Sequence, residues 1–432
     1  MTERYDVLVV GAGPAGLSAA CAAASRGARV GLLDAQARVG GQVWRHDVAR
    51  ADASSVPRAF TRAIARAWVE FLAQTQVVAA APGVLLVEDT QGARSLQTDA
   101  LILATGAREL MLPFPGWTLP GVTGAGGLQA LAKQGWPLAG KRVVIAGSGP
   151  LLLAAAASAR RHGAKVLGIH EQARADMVFR FACGLWRWPS KASQALRLRA
   201  QLAGIRYSCS SVVLRALGDD RVRAIELDGP TGRQQTECDV LAVGYGLLPN
   251  VELPQALGCK LENDGAHPRV RTDDRQCTSV TGVFAAGEIC GIGGRDAAVV
   301  EGAIAGYAAV GAVAAVQALQ RRRQHQHAFA AHLQRHFALD SRVLALADPE
   351  TLVCRCEDVP LHALDGYIDA RSAKLATRCG MGACQGRICG SALEAMGRFP
   401  RGDLRPPFFP ARLATLGDTD FSADLNSGVV SS

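Results

Sequence analysis

Aromatic residues are scarce in this chain: Phe, Trp and Tyr together make up 5% of its 432 residues. No basic face interleaves with aromatics, so a nucleic-acid surface built on base stacking is excluded despite a net charge of +9. Long apolar runs are also missing. One long uncharged stretch, Gly302 to Gln320, is dominated by Ala, Gly and Val, and alanine and glycine contribute little to membrane insertion. It reads as a buried helix packed through small residues, and no transmembrane segment is expected. The opening MTERYDVLVVGAG has no basic region followed by an apolar core and a cleavage site, so no signal peptide is read. The expectation is a cytoplasmic protein, free or held peripherally on the inner face of the membrane, with its thiols reduced. Cys21, Cys183, Cys209, Cys238, Cys259, Cys277 and Cys290 contain no C-x-x-C or C-x-x-x-x-C pair. They read as small buried hydrophobes, which leaves no redox dithiol among them.

Glycine, by contrast, is abundant at forty-seven residues, in a chain 49% hydrophobic and 20% charged. Such a chain is globular and long enough for two or three cores. Tyr5 to Val10 is a short apolar run that reads as a buried parallel strand. It leads into Gly11-Ala12-Gly13-Pro14-Ala15-Gly16, an Ala-rich helical stretch, and a second apolar run, Arg29 to Leu33, that ends at Asp34. This is the strand, tight turn, helix and strand of a dinucleotide site. Gly11 permits the turn, Gly13 lets the backbone approach a pyrophosphate, and Gly16 lets the helix sit close to the strand. The helix N-terminus offers free N–H groups to the phosphates, and Asp34 offers acceptors to the ribose.

Two further turns bear on which dinucleotide binds. Leu101 to Ala107 reads as a strand ending in Ala104-Thr105-Gly106, and Gly282 to Glu288 runs G-V-F-A-A-G-E before Gly291, Gly293 and Gly294. These resemble the second and third FAD signatures of the glutathione and thioredoxin reductase superfamily. Gly40-Gly41-Gln42 resembles the loop that runs beside the flavin there. By that resemblance FAD is bound by Gly11, Gly13, Pro14, Ala15, Gly16, Asp34, Gly41, Gln42, Thr105, Gly106, Gly287 and Glu288. Glu288 stands where Asp is more usual, and Asp34 where Glu is.

A second dinucleotide turn is eroded. Lys141 to Ala146 reads as a strand, followed by Gly147-Ser148-Gly149-Pro150-Leu151-Leu152. Leucine at the third glycine position should push the helix from the strand or crowd a pyrophosphate. The next strand ends at His170-Glu171 with no arginine placed for a 2′-phosphate. Glu171 could still hold a ribose, but NAD(P) use is placed in doubt.

Five cysteines lie between Cys354 and Cys389: a C-x-C pair, Cys354 and Cys356, and then Cys379, Cys384 and Cys389 within T-R-C-G-M-G-A-C-Q-G-R-I-C. Four thiolates suit a 2Fe–2S cluster, two for each iron; a structural zinc is the alternative. The segment resembles the bacterioferritin-associated-ferredoxin-like 2Fe–2S domain, which implies the ligands Cys354, Cys356, Cys384 and Cys389. Cys379 and Cys389 both stand five positions from Cys384, so spacing does not choose between them.

Together these features resemble the flavin/iron–sulfur subunit of heteromeric dehydrogenases acting on secondary amines. That family includes the flavin/iron–sulfur subunit of opine oxidase, the alpha subunit of hydroxyproline or proline dehydrogenases, and a hydrogen cyanide synthase subunit. The resemblance implies an α/β, two-dinucleotide-binding-domain flavoprotein with a small α-rich cluster domain. Residues 1–120 and 247–320 would form the FAD domain, 121–246 an inserted NAD(P)-like domain, 321–348 a basic linker, 349–397 the cluster domain and 398–432 an extended tail. It also implies a catalytic, glycine-oxidase-like partner subunit with its own FAD that oxidises an opine, hydroxyproline or proline type of amine. A small ferredoxin-like subunit fits the same assembly. This chain would pass electrons through FAD and 2Fe–2S to a carrier. Two rival readings are an NAD(P)H-dependent reductase feeding a ferredoxin-type acceptor, and a non-catalytic electron-transfer or assembly subunit. No residue pattern identifies a catalytic acid or base. His325, His327, His332 and His336 fall in the linker, where a solvated basic helix is expected rather than a metal site. The proline-rich tail, with Arg405 to Phe409 reading R-P-P-F-F, cannot form a core alone and is expected to dock on the main body or a partner.

Overall fold

The computed structural model describes residues 3–48, 56–66, 68–263, 267–400 and 406–417. They pack as two units. The first comprises Met1–Arg108, Leu248–Ala330 and Asp403–Ser432; the second comprises Glu109–Leu247 and Ala331–Gly402.

In the first unit the strand Glu3–Val10 pairs in parallel with Val30–Asp34 on one side and Ala93–Leu103 on the other. Val69–Ala73 and Val283–Ala285 extend the parallel part, while Gln76–Ala81 and Val84–Glu88 add an antiparallel pair to complete seven strands. Both faces are covered, so strand alternation divides the core in two. Val7, Val9, Val30, Leu32 and Ile102 pack with the alanines of the helix Pro14–Ala24. Tyr5, Leu8, Val10, Leu33, Leu101 and Leu103 belong to the other cluster.

The helix Pro14–Ala24 lies directly on the helix Arg295–Ala309. A side-chain carbon added at Gly302 would stand 2.1 Å from Ala15 O, and one at Gly306 would stand 2.2 Å from Ala19 O. The apolar stretch from Gly302 is therefore a buried helix, as expected, but it does not run on to Gln320. Gly311 adopts a left-handed φ of 70° and ends it, and a second helix, Val313–His336, follows. Among the described residues no helix is long and apolar enough to cross a membrane.

The second unit repeats the strand order. Arg142–Gly147 is central, with Lys165–Glu171 and Tyr207–Ser208 to one side and Val240–Gly244 and Val122–Gly124 to the other, all parallel. After the third parallel strand the first unit inserts the antiparallel pair named above, and the second inserts a separate antiparallel three-stranded sheet of Val212–Leu217, Ala224–Gly229 and Gly232–Glu237. The cysteine segment has its own small core of Val353, Val359, Leu361, Leu364, Ala373, Leu393 and Phe399. The Trp117 indole N–H donates to Leu352 O at 2.5 Å, tying the strand before Cys354 to the repeated fold.

Part of the tail, including Arg405, lies outside the described residues. Its described portion packs on the first unit. The Phe408 side chain is buried in the cluster of Leu8 and Leu103, its N–H donates to Val78 O, and Arg412 N–H donates to Glu88. Replacing a buried phenylalanine with alanine costs about 3–5 kcal/mol. Phe408→Ala should therefore lower the unfolding free energy obtained from urea titration by about 3–5 kcal/mol, whereas Phe179→Ala, at a ring that is 69% exposed, should leave it unchanged.

Candidate functional site: two nucleotide turns and a thiol cluster

The first turn is built by backbone contact. A carbon added at Gly16 would lie 1.7 Å from Gly11 O, so the helix can begin there only without a side chain. Gly13, by contrast, faces open space except for Gly41 Cα at 4.0 Å. Pro14 opens the helix, whose first turn has no side-chain cap and no acidic residue. Its N–H groups are thus left for an anion. Asp34 ends the second strand and accepts from Ala12 N–H at 2.7 Å and Gln36 N–H at 2.8 Å. A carboxylate has about four acceptor positions, so two remain for ribose hydroxyls. Gly40 N–H donates to Ala12 O, which brings Gly41 beside Gly13, and exposed Gln42 accepts from Arg45.

The other two flavin-type turns close on the same sheet edge. Thr105 and Asn250 exchange hydrogen bonds, each at 2.9 Å, between a side chain and the opposite carbonyl. Arg108 holds Asn250 at 2.7 Å and Glu252 at 2.8 Å. Nothing in the local sequence marks Asn250, which lies 145 residues from Thr105. Gly287, packed on Ala15, donates its N–H to Glu301 at 2.9 Å, and the other Glu301 oxygen meets His327 Nε2 at 2.6 Å. Burial pushes the Glu288 carboxyl up to about 6, and the Glu301 charge adds to the effect. Cys290 is pushed well up by the same two causes.

The histidine-bearing segment is, as expected, a largely exposed basic helix, Val313–His336, but several of its histidines have partners or are buried. His327 is paired with Glu301, His332 stacks on Phe181 and Trp188, and His336 is buried. Apolar and acidic partners far away in sequence account for the difference. Among the described residues, no metal-capable group includes these histidines.

The second turn has the same plan and a different fate. Leu152 is fully buried in the core of its sheet, with Gly244 beside it. The Phe337 ring covers Gly149: a carbon added at Gly149 would lie 3.6 Å from it. Ser148 Oγ donates to Phe337 O, Gln172 Nε2 donates to Ala338 O, and Asp340 N–H donates to Gln172. The segment from Phe337 to Asp340 thus lies across the turn. Glu171 is fully buried and accepts from Gly149 N–H at 2.7 Å, Ala173 N–H at 2.9 Å and the Tyr207 hydroxyl at 3.2 Å. These protein donors occupy most of the acceptor positions that the sequence left open to a ribose.

The five C-terminal cysteines come together. The Sγ atoms of Cys354, Cys379 and Cys389 lie within 4.8 Å of one another, all buried. Half-buried Cys384 contacts both Cys389 and exposed Cys356. Hydrogen bonding from Cys389 holds the Cys384 thiol down, to about 5, while bonding to Cys379 and then to Cys384, with burial, pushes Cys389 up. Gly382 makes the Cys356 approach possible, since a carbon added there would stand 2.2 Å from Cys356 Cβ. Thiolates gathered in this number fit a soft metal centre.

Two turns of one topology, the first open and flanked by flavin-type turns, define a two-dinucleotide-binding-domain flavoprotein fold. The model of the pyridine nucleotide-disulphide oxidoreductases matches residues 5–328, and the chain belongs to that family. It is 32% identical to an opine oxidase subunit of Rhizobium meliloti over 98% of this chain and 89% of that protein. It is 30% identical to hydrogen cyanide synthase subunit HcnB of Pseudomonas aeruginosa over 93% of this chain and 95% of that protein. The crystal structure of L-proline dehydrogenase from P. horikoshii shares the fold, with a TM-score of 0.68 at 18% identity, covering 96% of this chain and 80% of that one. The chain is a flavin-dependent oxidoreductase related to the opine oxidase and hydrogen cyanide synthase proteins.

Glu288 supplies a pH test. Its folded value lies above the ordinary 4.5, so its contribution to stability is complete below about 4.5 and is lost as the pH rises through about 6. Thermal midpoints measured between pH 4 and 7 should show this loss in the wild type. Glu288→Gln should remove that portion of the slope, and an unchanged profile would refute the assignment.

Proposed function

We propose that this chain is the electron-handling subunit of a heteromeric dehydrogenase. The substrate is a secondary amine or imino acid of the opine, hydroxyproline or proline type. The observation that carries this reading is the contrast between the two nucleotide turns in a chain that also gathers five thiols. One turn is open for a flavin dinucleotide, while the other is covered by the chain itself.

The residues of the first turn fit FAD. Gly13 and the uncapped start of the helix Pro14–Ala24 would receive the pyrophosphate. Asp34 would hold the ribose, and Gly41 and Gln42 would flank the dinucleotide. Thr105, Gly106, Gly287 and Glu288 would line the flavin side. Cys354, Cys356, Cys384 and Cys389 would hold a 2Fe–2S cluster. When bound, the two groups would supply the chemistry that links a two-electron oxidation to single-electron transfer to a carrier. The chain's own part is to bind, orient and shield them. Glu301, fixed by Gly287 and His327, braces the turn that carries Glu288.

In this reading C–N oxidation takes place on a glycine-oxidase-like partner that carries its own FAD. The relatives bear the word subunit in their names, which supports such a partner. A nicotinamide-dependent reductase would require the turn at Gly149 to be open.

Anaerobic mixing tests the reading. NADH or NADPH should leave the flavin oxidised, while the amine should bleach it only when the partner subunit is present. Rapid bleaching of this chain alone by NADH or NADPH would overturn the proposal. The purified protein should also contain iron and acid-labile sulfide in equal amounts, with zinc in their place counting against the cluster.

A further inference from the structure

A 2Fe–2S cluster takes four thiolates in two pairs, one pair to each iron. The chain offers five thiols, and they are not arranged as four plus a distant bystander. Cys356 and Cys384 contact each other toward the surface, with the Cys384 N–H also bonded to the Cys356 sulfur. Cys354, Cys379 and Cys389 form a buried trio with sulfurs within 4.8 Å of one another. The outer group therefore supplies two ligands and the inner group supplies three candidates for two places.

We infer that the outer iron is held by Cys356 and Cys384, and the inner iron by Cys354 together with either Cys379 or Cys389. These last two are interchangeable ligands for a single position. The inference rests on the cluster reading of the preceding subsection and adds a redundancy that the four-ligand pattern lacks.

Each of the competing thiols is positioned by its own backbone. Cys379 follows Arg378, which sits at a left-handed φ of 66° and is anchored to Glu357 at 2.7 Å, and the Cys379 N–H donates to Thr377 Oγ1. Cys389 opens the helix Cys389–Ala395, whose start is set by Gly390 N–H on Gly386 O at 2.8 Å. Moving one thiol onto the iron therefore does not require the other to leave its place. The two are already in side-chain contact. In the exchange the iron–sulfur bond to one cysteine breaks as the bond to the other forms. The proton of the incoming thiol passes to the outgoing thiolate, and no electron moves.

The test uses the full chain purified without oxygen: wild type, Cys379→Ala, Cys389→Ala, the double variant and Cys354→Ala. Iron, acid-labile sulfide and the paramagnetic resonance of the dithionite-reduced protein are measured, with bound flavin per chain as the readout of folding. Both single variants should keep wild-type iron and sulfide, with resonance spectra that differ from each other. The double variant and Cys354→Ala should retain less than about a tenth of the iron while keeping their flavin. Loss of the cluster in Cys389→Ala with no change in Cys379→Ala would overturn the inference and make Cys379 a bystander. Retention of the cluster by the double variant would overturn it as well. A wild type without iron and sulfide would instead defeat the cluster reading itself, and this inference with it.

Discussion

The backbone contact between the helices Pro14–Ala24 and Arg295–Ala309 is the constraint on which the flavin site depends. Gly302 and Gly306 give up their side chains to Ala15 and Ala19, and the Ser18 hydroxyl donates to Val299 O at 2.7 Å. Segments 281 residues apart are thereby held at one end of one sheet. Ala15 then packs on Gly287, which places the last flavin-type turn beside the first. Glu301, one residue before Gly302, can reach the Gly287 N–H only in that register. A bulkier residue at either glycine would separate the helices and disturb the pyrophosphate turn, the Gly287 turn and the Glu301–His327 pair together.

The two units show how one framework yields opposite outcomes. Both place an acid at the end of the second strand and direct it at the N–H groups of the glycine turn. Asp34 is half-buried and retains acceptors, whereas Glu171 is fully buried among internal donors. Burying a carboxylate is tolerable only when its lone pairs are satisfied. Glu171 therefore has its charge satisfied by the protein's own donors, whereas Asp34 keeps acceptors facing outward.

The legible parts of the chain were those whose chemistry is local. Gly11 to Asp34, the strand into Thr105, the turn at Gly287 and the cysteine spacing each lie within a few tens of residues and obey fixed backbone geometry. Leu152 marked the second turn as departing from the glycine pattern, and in the structure it is buried in the core of its sheet. What covers that turn was not legible, because Phe337 comes nearly two hundred residues later, in a stretch whose composition suggests only a basic linker. Asn250 and the Glu301–His327 pair were hidden for the same reason: single polar residues meet across helices with no periodic signal. The cysteine count was plain, but the division into a surface pair and a buried trio depends on side-chain direction, which spacing leaves open.

The covered second turn also bears on what single substitutions can undo. Leu152→Gly alone would leave Phe337 over Gly149 and Glu171 bonded to the Gly149 N–H. Lifting the Phe337–Asp340 segment first would strand the Ser148 and Gln172 side chains without their carbonyl partners and uncover an aromatic ring. Emptying Glu171 first would leave a buried charge underbonded. Each of these last two changes leaves unpaired a group that the present contacts satisfy. The cover over the second turn is therefore held by several contacts at once, and no single substitution removes them all.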